Sequence, residues 1–280
     1  MNKQSIPRIL FYIAGLLILA LGIILNTKCG LGVSPIISVA FSISAITHCS
    51  FGNMTFLLYA IFVLAELLIH LTLNHRYRVH PDRAPVIRRN FKLLLVMDLL
   101  QLPLSLVFTR FMNLFSAWIP APEKFSYQLL VLAGGIICTG IGAAMSLNMR
   151  IIPNPGDGIV QAISDFVGKS VGFTKNCFDL FNICLTCCIG LIFAHHLIGI
   201  GLGTVAAVLG VGRVIALFNH LFMKKMTRMA GLTYEMRCFS TLVNRVLIVY
   251  NLFTNHTIFF HNWDLYYSQF KRGAPKRAAP

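Results

Sequence analysis

Residues 34–48 read SPIISVAFSISAITH, and residues 154–168 read NPGDGIVQAISDFVG. Each stretch sets a proline after a small polar residue and continues as an apolar helical pattern, the arrangement expected where proline occupies the first helical turn. Each is also too short or too polar to cross ~30 Å of hydrocarbon, which takes ~20 apolar residues. The longer apolar runs around them do qualify as spans: about 9–26, 54–73, 91–112, 127–147, 176–195 and 199–223. The order is span, short helix, span, span, and then the same order again.

The two halves correspond residue by residue. A gapless shift of 120 residues brings Gly15 onto Gly135, Gly22 onto Gly142, Pro35 onto Pro155, Ile43 onto Ile163, Ser44 onto Ser164, Ser50 onto Ser170 and Gly52 onto Gly172. Most of these identities are Gly, Pro or Ser at element boundaries, where backbone geometry selects the residue. Three crossings per unit is an odd number, so two tandem units must lie inverted about an in-plane pseudo-two-fold axis. Backbone interrupted by proline at membrane depth is tolerated only when buried in protein or lining a wet cavity. The strands entering Pro35 and Pro155 are therefore expected to converge near the centre, with positive helix ends exposed there.

Composition agrees with a membrane chain. Charged residues make up 12%, about half the ~25% of a soluble domain. Hydrophobic residues reach 56% and mean hydropathy is +0.73. A disordered segment, a nucleic-acid module and a disulfide scaffold each need a different composition. The 24 Lys+Arg outnumber the 9 Asp+Glu, but they sit between apolar runs, where they orient the chain by the positive-inside rule. If the short segments dip in and return, Lys3, Arg8, Arg150, Lys169, Lys175 and the basic residues from Arg76 to Lys92 share one side. Leaving aside Arg213 and the tail after Phe222, only Lys28, Arg110 and Lys124 then face the other. If all eight segments crossed, that bias would disappear.

The fold expected is an all-α polytopic membrane protein with six transmembrane and two half-membrane helices in two inverted repeats. Both termini are expected in the cytoplasm, with no cleavable leader. The membrane domain covers 1–222, with repeat 1 at about 8–112 and repeat 2 at about 127–222. Residues 223–280 form a basic, aromatic tail whose apolar stretch is interrupted by Asn251, Asn255 and His256. It is expected to rest loosely on the inner leaflet rather than to form a seventh span.

Acidic residues within apolar runs need a partner or a wet cavity, and by default suggest function. Asp98, embedded in LLLVMDLLQLPLSL, has Gln101 one turn on and Pro103 expected to break the helix beyond. Aligning the later helices at a shift of 106 sets Asp98 opposite Thr204, both facing the centre. Asp157 lies in the first turn after Pro155. Asp179 follows Lys175 at the spacing of an i,i+4 ion pair. Glu66 is expected to snorkel to the interface near His70. Cys184, Cys187 and Cys188 are expected to be buried as small hydrophobes. No HExxH run, nucleophile elbow or phosphate loop is present, so neither an enzyme, a metal nor a cofactor is expected.

Arg8-x-x-x-Tyr12-x-x-Gly15, Leu31-Gly32-Val33-Ser34-Pro35, Pro155-Gly156-Asp157-Gly158, Lys175-x-x-x-Asp179 and Gly201-x-Gly203-Thr204 occur in that order. Together they resemble the bacterial YczE-like integral membrane proteins, distant kin of the YitT group, over about residues 6–222. The resemblance implies an inner-membrane protein without an assigned biochemical activity. Two features depart from the family: Gly210-Val211-Gly212-Arg213 stands where a proline is usual after the glycine, and the tail is additional.

The function expected is a transporter-like permeation protein for a small solute, with a midplane site formed by Ser34, Pro35, Asp98, Asn154, Asp157 and Thr204. Protonation of Asp98 is the expected coupling step. The alternative is a non-transporting membrane scaffold or accessory factor for a biosynthetic or secretion process, acting through the basic loop 76–92 and the tail. Lipid is the expected partner, a small-molecule substrate and a homodimer are compatible with the sequence, and nucleic acid is not expected. In a chain whose eight native cysteines are replaced by serine, a reporter cysteine introduced as R83C is expected to react with membrane-impermeant maleimide only from the cytoplasmic side; labelling from outside would reverse the topology.

Overall fold

The structure is a computed structural model, and it describes residues 5–79, 91–149, 151–169 and 171–230. Among the described residues there is no strand. Eight α-helices follow in the order α1 (Ser5–Lys28), α2 (Pro35–Thr47), α3 (Phe51–Val79), α4 (Phe91–Trp118), α5 (Phe125–Asn148), α6 (Pro155–Val167), α7 (Val171–Ile189) and α8 (Leu202–Met229). A π-helical turn, Gly190–Ala194, prolongs α7. Six of these helices are long and apolar enough to cross a membrane. Their outer faces are apolar as well: Leu57, Ile61, Leu64, Leu68 and Leu71 of α3 are exposed at helical spacing, far more than water tolerates on one surface. The protein is a multi-pass membrane protein.

The centre is the seam between α1 and α5. Gly15 packs on Ser146, Leu19 on Gly142, Gly22 on Thr139 and Asn26 on Gly135. Positions rise on one helix as they fall on the other, so the two run antiparallel. A Cβ on Gly15 would lie 2.7 Å from the Ser146 backbone nitrogen, and one on Gly135 would lie 2.6 Å from Asn26 Oδ1. These glycines therefore let the backbones touch, as small residues do between helices in lipid. The pairs also exchange under the 120-residue shift: Gly15–Ser146 becomes Gly135–Asn26, and Gly22–Thr139 becomes Gly142–Leu19. Around this seam α4 packs on α1 and α8 on α5, while α2 packs on α7 and α6 on α3.

The short helices have 13 residues each, about 20 Å at 1.5 Å per residue. Their ends match closely. Ser34 (φ −61°, ψ 138°) and Asn154 (φ −66°, ψ 140°) share one extended N-cap conformation before the proline. His48 and Gly168 end the helices in the left-handed region. Ser44 Oγ donates to the Cys49 carbonyl at 2.8 Å, and Ser164 Oγ to that of Lys169 at 2.7 Å. The repeated serine thus satisfies a carbonyl left without a helical partner.

Three features differ from the sequence expectations. Pro103 lies inside α4, which runs on to Trp118. Its missing N–H leaves the Leu99 carbonyl without an intrahelical donor, and packing of α4 against α3 and α1 carries the helix on, as neighbouring helices do for prolines in spans. Cys184 and Cys188 are exposed rather than buried, because α7 turns that face away from α2 and α6. Finally, α8 continues through residues 223–229, where Met226 packs on Tyr12 and Met149. Most of the tail, 231–280, and Arg83, Arg88, Arg89 and Arg150 lie outside the described residues.

Gly22→Ala is expected to lower stability by about 1–3 kcal/mol, the range for overpacking a closed contact. Gly134→Ala, whose added Cβ would find its nearest neighbour, Leu25 Cδ1, at 4.0 Å, is expected to leave it unchanged or slightly raised. Thermal unfolding of the two purified variants in detergent compares them.

Candidate functional site

Broken backbone enters the centre of the protein twice, and in both places its polar groups are taken up by other segments. In the α5–α6 connection, Arg8 Nε donates to the Met149 carbonyl at 2.8 Å and the Tyr12 hydroxyl donates to that of Ile152 at 2.9 Å. In the α1–α2 connection, Val33 N–H donates to the Gly199 carbonyl at 2.9 Å, and Gly203 N–H donates to the Leu31 carbonyl at 2.6 Å. Gly32, at φ +118°, completes this second turn, because a Cβ there would stand 2.6 Å from Thr204 Oγ1. The two connections aim α2 and α6 so that their first turns meet: the Ile36 side chain fills the space above Gly156, 2.7 Å from where a Cβ would be.

A cavity of about 110 Å³ opens at this meeting point. Ser34 and Pro35 from α2, with Asn154 and Asp157 from α6, form one side. Tyr59 of α3 and the Lys175–Asp179 pair of α7 extend its polar wall. Ala207, Val211 and Ile215 of α8 and Leu19 and Ile23 of α1 close the apolar wall. Asn154 caps α6 by accepting from Gly156 N–H at 3.2 Å, and the Tyr59 hydroxyl reaches the Asn154 side chain. Lys175 Nζ stands 3.6 Å from Asp179 Oδ1, the i,i+4 ion pair anticipated from the spacing. The Lys175 charge also acts on Asp157, as does that of Asp179, with the opposite sign. Two carboxylates, one ammonium, a phenol and an amide thus share one small space.

Four of the six sequence-derived positions, Ser34, Pro35, Asn154 and Asp157, come together here. The other two do not. Thr204 Oγ1 accepts from Gly201 N–H at 3.2 Å and donates to the Gly199 carbonyl at 3.3 Å; it braces the α7–α8 connection, against Gly32, instead of lining the cavity. Asp98 does not face Thr204, because α4 turns this residue toward α3. There Asp98 Oδ2 meets His70 Nδ1 at 2.7 Å, with both side chains buried. Glu66 does not snorkel either: it is 3% exposed and accepts from Gln101 Nε2 at 3.0 Å. A carboxylate in hydrocarbon costs ~2.5–3.5 kcal/mol on the insertion scale, which favours partnering of this kind. Glu66, His70 and Asp98 form a second polar group between α3 and α4, apart from the cavity. Tyr59, missed at first, carried a signal: it stands 120 residues before Asp179, so the shift that pairs the halves also pairs these two.

The sequence pattern of a known family matches residues 6–220, from the start of α1 almost to the end of α8. The chain belongs to DUF6198, a family of unknown function. No curated protein and no solved structure matches it. The arrangement above is therefore the ground for any functional reading of this DUF6198 member.

The two N-caps carry different weight. Asn154→Ala removes a bonded cap and is expected to cost about 0.5–2 kcal/mol. Ser34 makes no side-chain cap bond, so Ser34→Ala is expected to stay within about 0.5 kcal/mol. Denaturation midpoints of the two purified variants test the contrast.

Proposed function

We propose that this protein is a transporter-like permeation protein for a small polar solute, bound at the cavity between the first turns of α2 and α6. The reading takes the chain as two inverted repeats of three spans and one re-entrant half-helix, in a bacterial inner membrane with both termini cytoplasmic. Supporting the repeat are the antiparallel α1–α5 seam, whose contacts exchange under the 120-residue shift, and the equal cap conformations at Ser34 and Asn154. Supporting the site is one observation above the others: both proline-led helix starts open on a single cavity that also holds Asp157, Lys175 and Asp179. Discontinuous helices in paired positions mark the substrate site of many secondary transporters. Ionisable side chains inside a membrane face such cavities rather than lipid.

The chemistry of the wall suits a solute carrying charge of both signs. Lys175 and the positive end of α2, which has no acid in its first turn, attract an anionic group. Asp157 and Asp179 attract a cationic one, and the α8 wall accepts an apolar stem. The motif order supports kinship between DUF6198 and the YczE-like proteins, which this reading also proposes. Asp98 leaves the solute site on this account, since its partner is His70.

Comparing metabolites inside and outside cells that express the protein, its Asp157→Asn form or neither is the test. The expected result is a polar solute whose distribution changes with the protein and reverts by at least about tenfold in Asp157→Asn at equal membrane abundance, the loss of one hydrogen bond to a charged group being worth ~1.5–3 kcal/mol. Identical profiles for all three strains across polar metabolites would remove the transport reading.

A further inference from the structure

Glu66 and His70 stand one turn apart on α3, and Asp98 and Gln101 one turn apart on α4, so each pair shares a helix face. The two faces meet: one ligand atom from each of Glu66, His70 and Asp98 lies within 4.8 Å of the other two. All three residues are buried, and Gln101 is fully so. The amide of Gln101 uses its nitrogen on Glu66, while its carbonyl oxygen, Oε1, has no hydrogen-bond partner. That oxygen is directed at the same spot as the Glu66 carboxylate. A Cβ built on Gly158 of α6 would lie 2.5 Å from Glu66 Oε2 and 3.1 Å from Gln101 Oε1. A buried acceptor without a protein donor calls for an ordered water or an ion beside it, and the two carboxylates and the imidazole that converge on the same place favour an ion.

The other half of the protein shows what fills the corresponding place when no such acceptor is present. Under the 120-residue shift, Gly158 and Glu66 correspond to Ser38 and Thr186. Those two hydroxyls bond each other at 2.6 Å and leave the place neutral. On the α3 side a glycine and a carboxylate stand instead, with two further oxygen donors and an imidazole beside them.

We propose that Glu66, His70, Asp98 and the Gln101 carbonyl oxygen bind one divalent transition-metal cation of the zinc or manganese kind. Metal bonds of ~2.0–2.2 Å set ligand atoms roughly 3–4.4 Å apart, within a small adjustment of the arrangement present. One imidazole nitrogen among oxygen donors favours such ions over magnesium and calcium, which prefer oxygen alone. The ion neutralises both carboxylates and completes Gln101. Gly158 is required because any side chain there would occupy the space of the ligands. The site is separate from the solute cavity, and the inference does not rest on the transport reading.

The experiment uses the full chain purified in detergent, stripped with a chelator and titrated with zinc chloride and, in parallel, manganese chloride. One ion of at least one of the two metals is expected to bind per chain. Glu66→Gln and Asp98→Asn are each expected to weaken that affinity by at least about tenfold, given that even outer-sphere changes cost 10–100-fold. Asp165→Asn, which removes a carboxylate elsewhere on α6, is expected to bind as the unaltered chain does. X-ray absorption on the loaded, unaltered chain is expected to report nitrogen and oxygen ligands without sulfur, a readout that holds even if a variant fails to fold. No binding of either metal, affinity unchanged in both Glu66→Gln and Asp98→Asn, or sulfur in the coordination shell would each overturn the assignment.

Discussion

Hydrocarbon offers no water to an unpaired N–H, carbonyl or carboxylate, and every unusual feature of this protein answers to that constraint. The backbone leaves helical geometry twice between spans, ahead of Pro35 and ahead of Pro155. In each place, groups from distant segments take the exposed carbonyls and amides. Arg8 and Tyr12 hold one connection, and the start of α8 holds the other. Those contacts require α1 and α5 to lie close enough for the connections to reach the centre. The glycines at 15, 22, 135 and 142 make that approach possible by removing side chains from the seam. Close packing there and satisfied backbone at the tips are thus one requirement seen at two scales.

The same constraint sorts the acidic residues. Asp157 and Asp179 face the cavity, where Lys175 supplies opposite charge and space admits water. Glu66 and Asp98 are turned away from the cavity into the α3–α4 contact, where Gln101 and His70 meet them. Helix α6 separates the two groups. Asp157 and Gly158 are adjacent in sequence and so point roughly 100° apart around the helix axis, one toward the cavity and the next toward Glu66. The first carries charge into one space, and the second carries no side chain at all into the other. A single turn of helix therefore borders both polar regions of the membrane interior.

Positions 120 residues apart share local backbone features but differ in their polar side chains. Cap torsions, the serines closing α2 and α6, and the glycine seam recur with the 120-residue period. The polar residues do not: Asp157 stands where the first half has Ile37, Lys175 where it has Thr55, and Glu66 where the second half has Thr186. Matching local backbone thus presents different polar side chains. Close packing demands small residues at the matched seam positions, whereas each buried charge requires its own partner.

Periodicity, proline and the sum of apolar length were enough to place six spans, the two short helices, their N-caps Ser34 and Asn154 and the first-turn residues Pro35 and Asp157, because these depend on local propensity and on a fixed thickness of hydrocarbon. The Lys175–Asp179 pair was equally legible, being set by one turn of one helix. The surroundings of Asp98, Thr204 and Glu66 were not. Sequence alignment of the later helices set Asp98 against Thr204, but the rotation of α4 about its own axis follows from how it packs between α1 and α3, which no local pattern encodes. Pro103 likewise read as a stop, and packing against neighbouring helices lets α4 continue. The sequence alone determined which segments enter the membrane and where their backbone breaks; the tertiary structure decided which buried groups face one another, because in hydrocarbon a polar side chain's role depends on the partner brought to it from another helix.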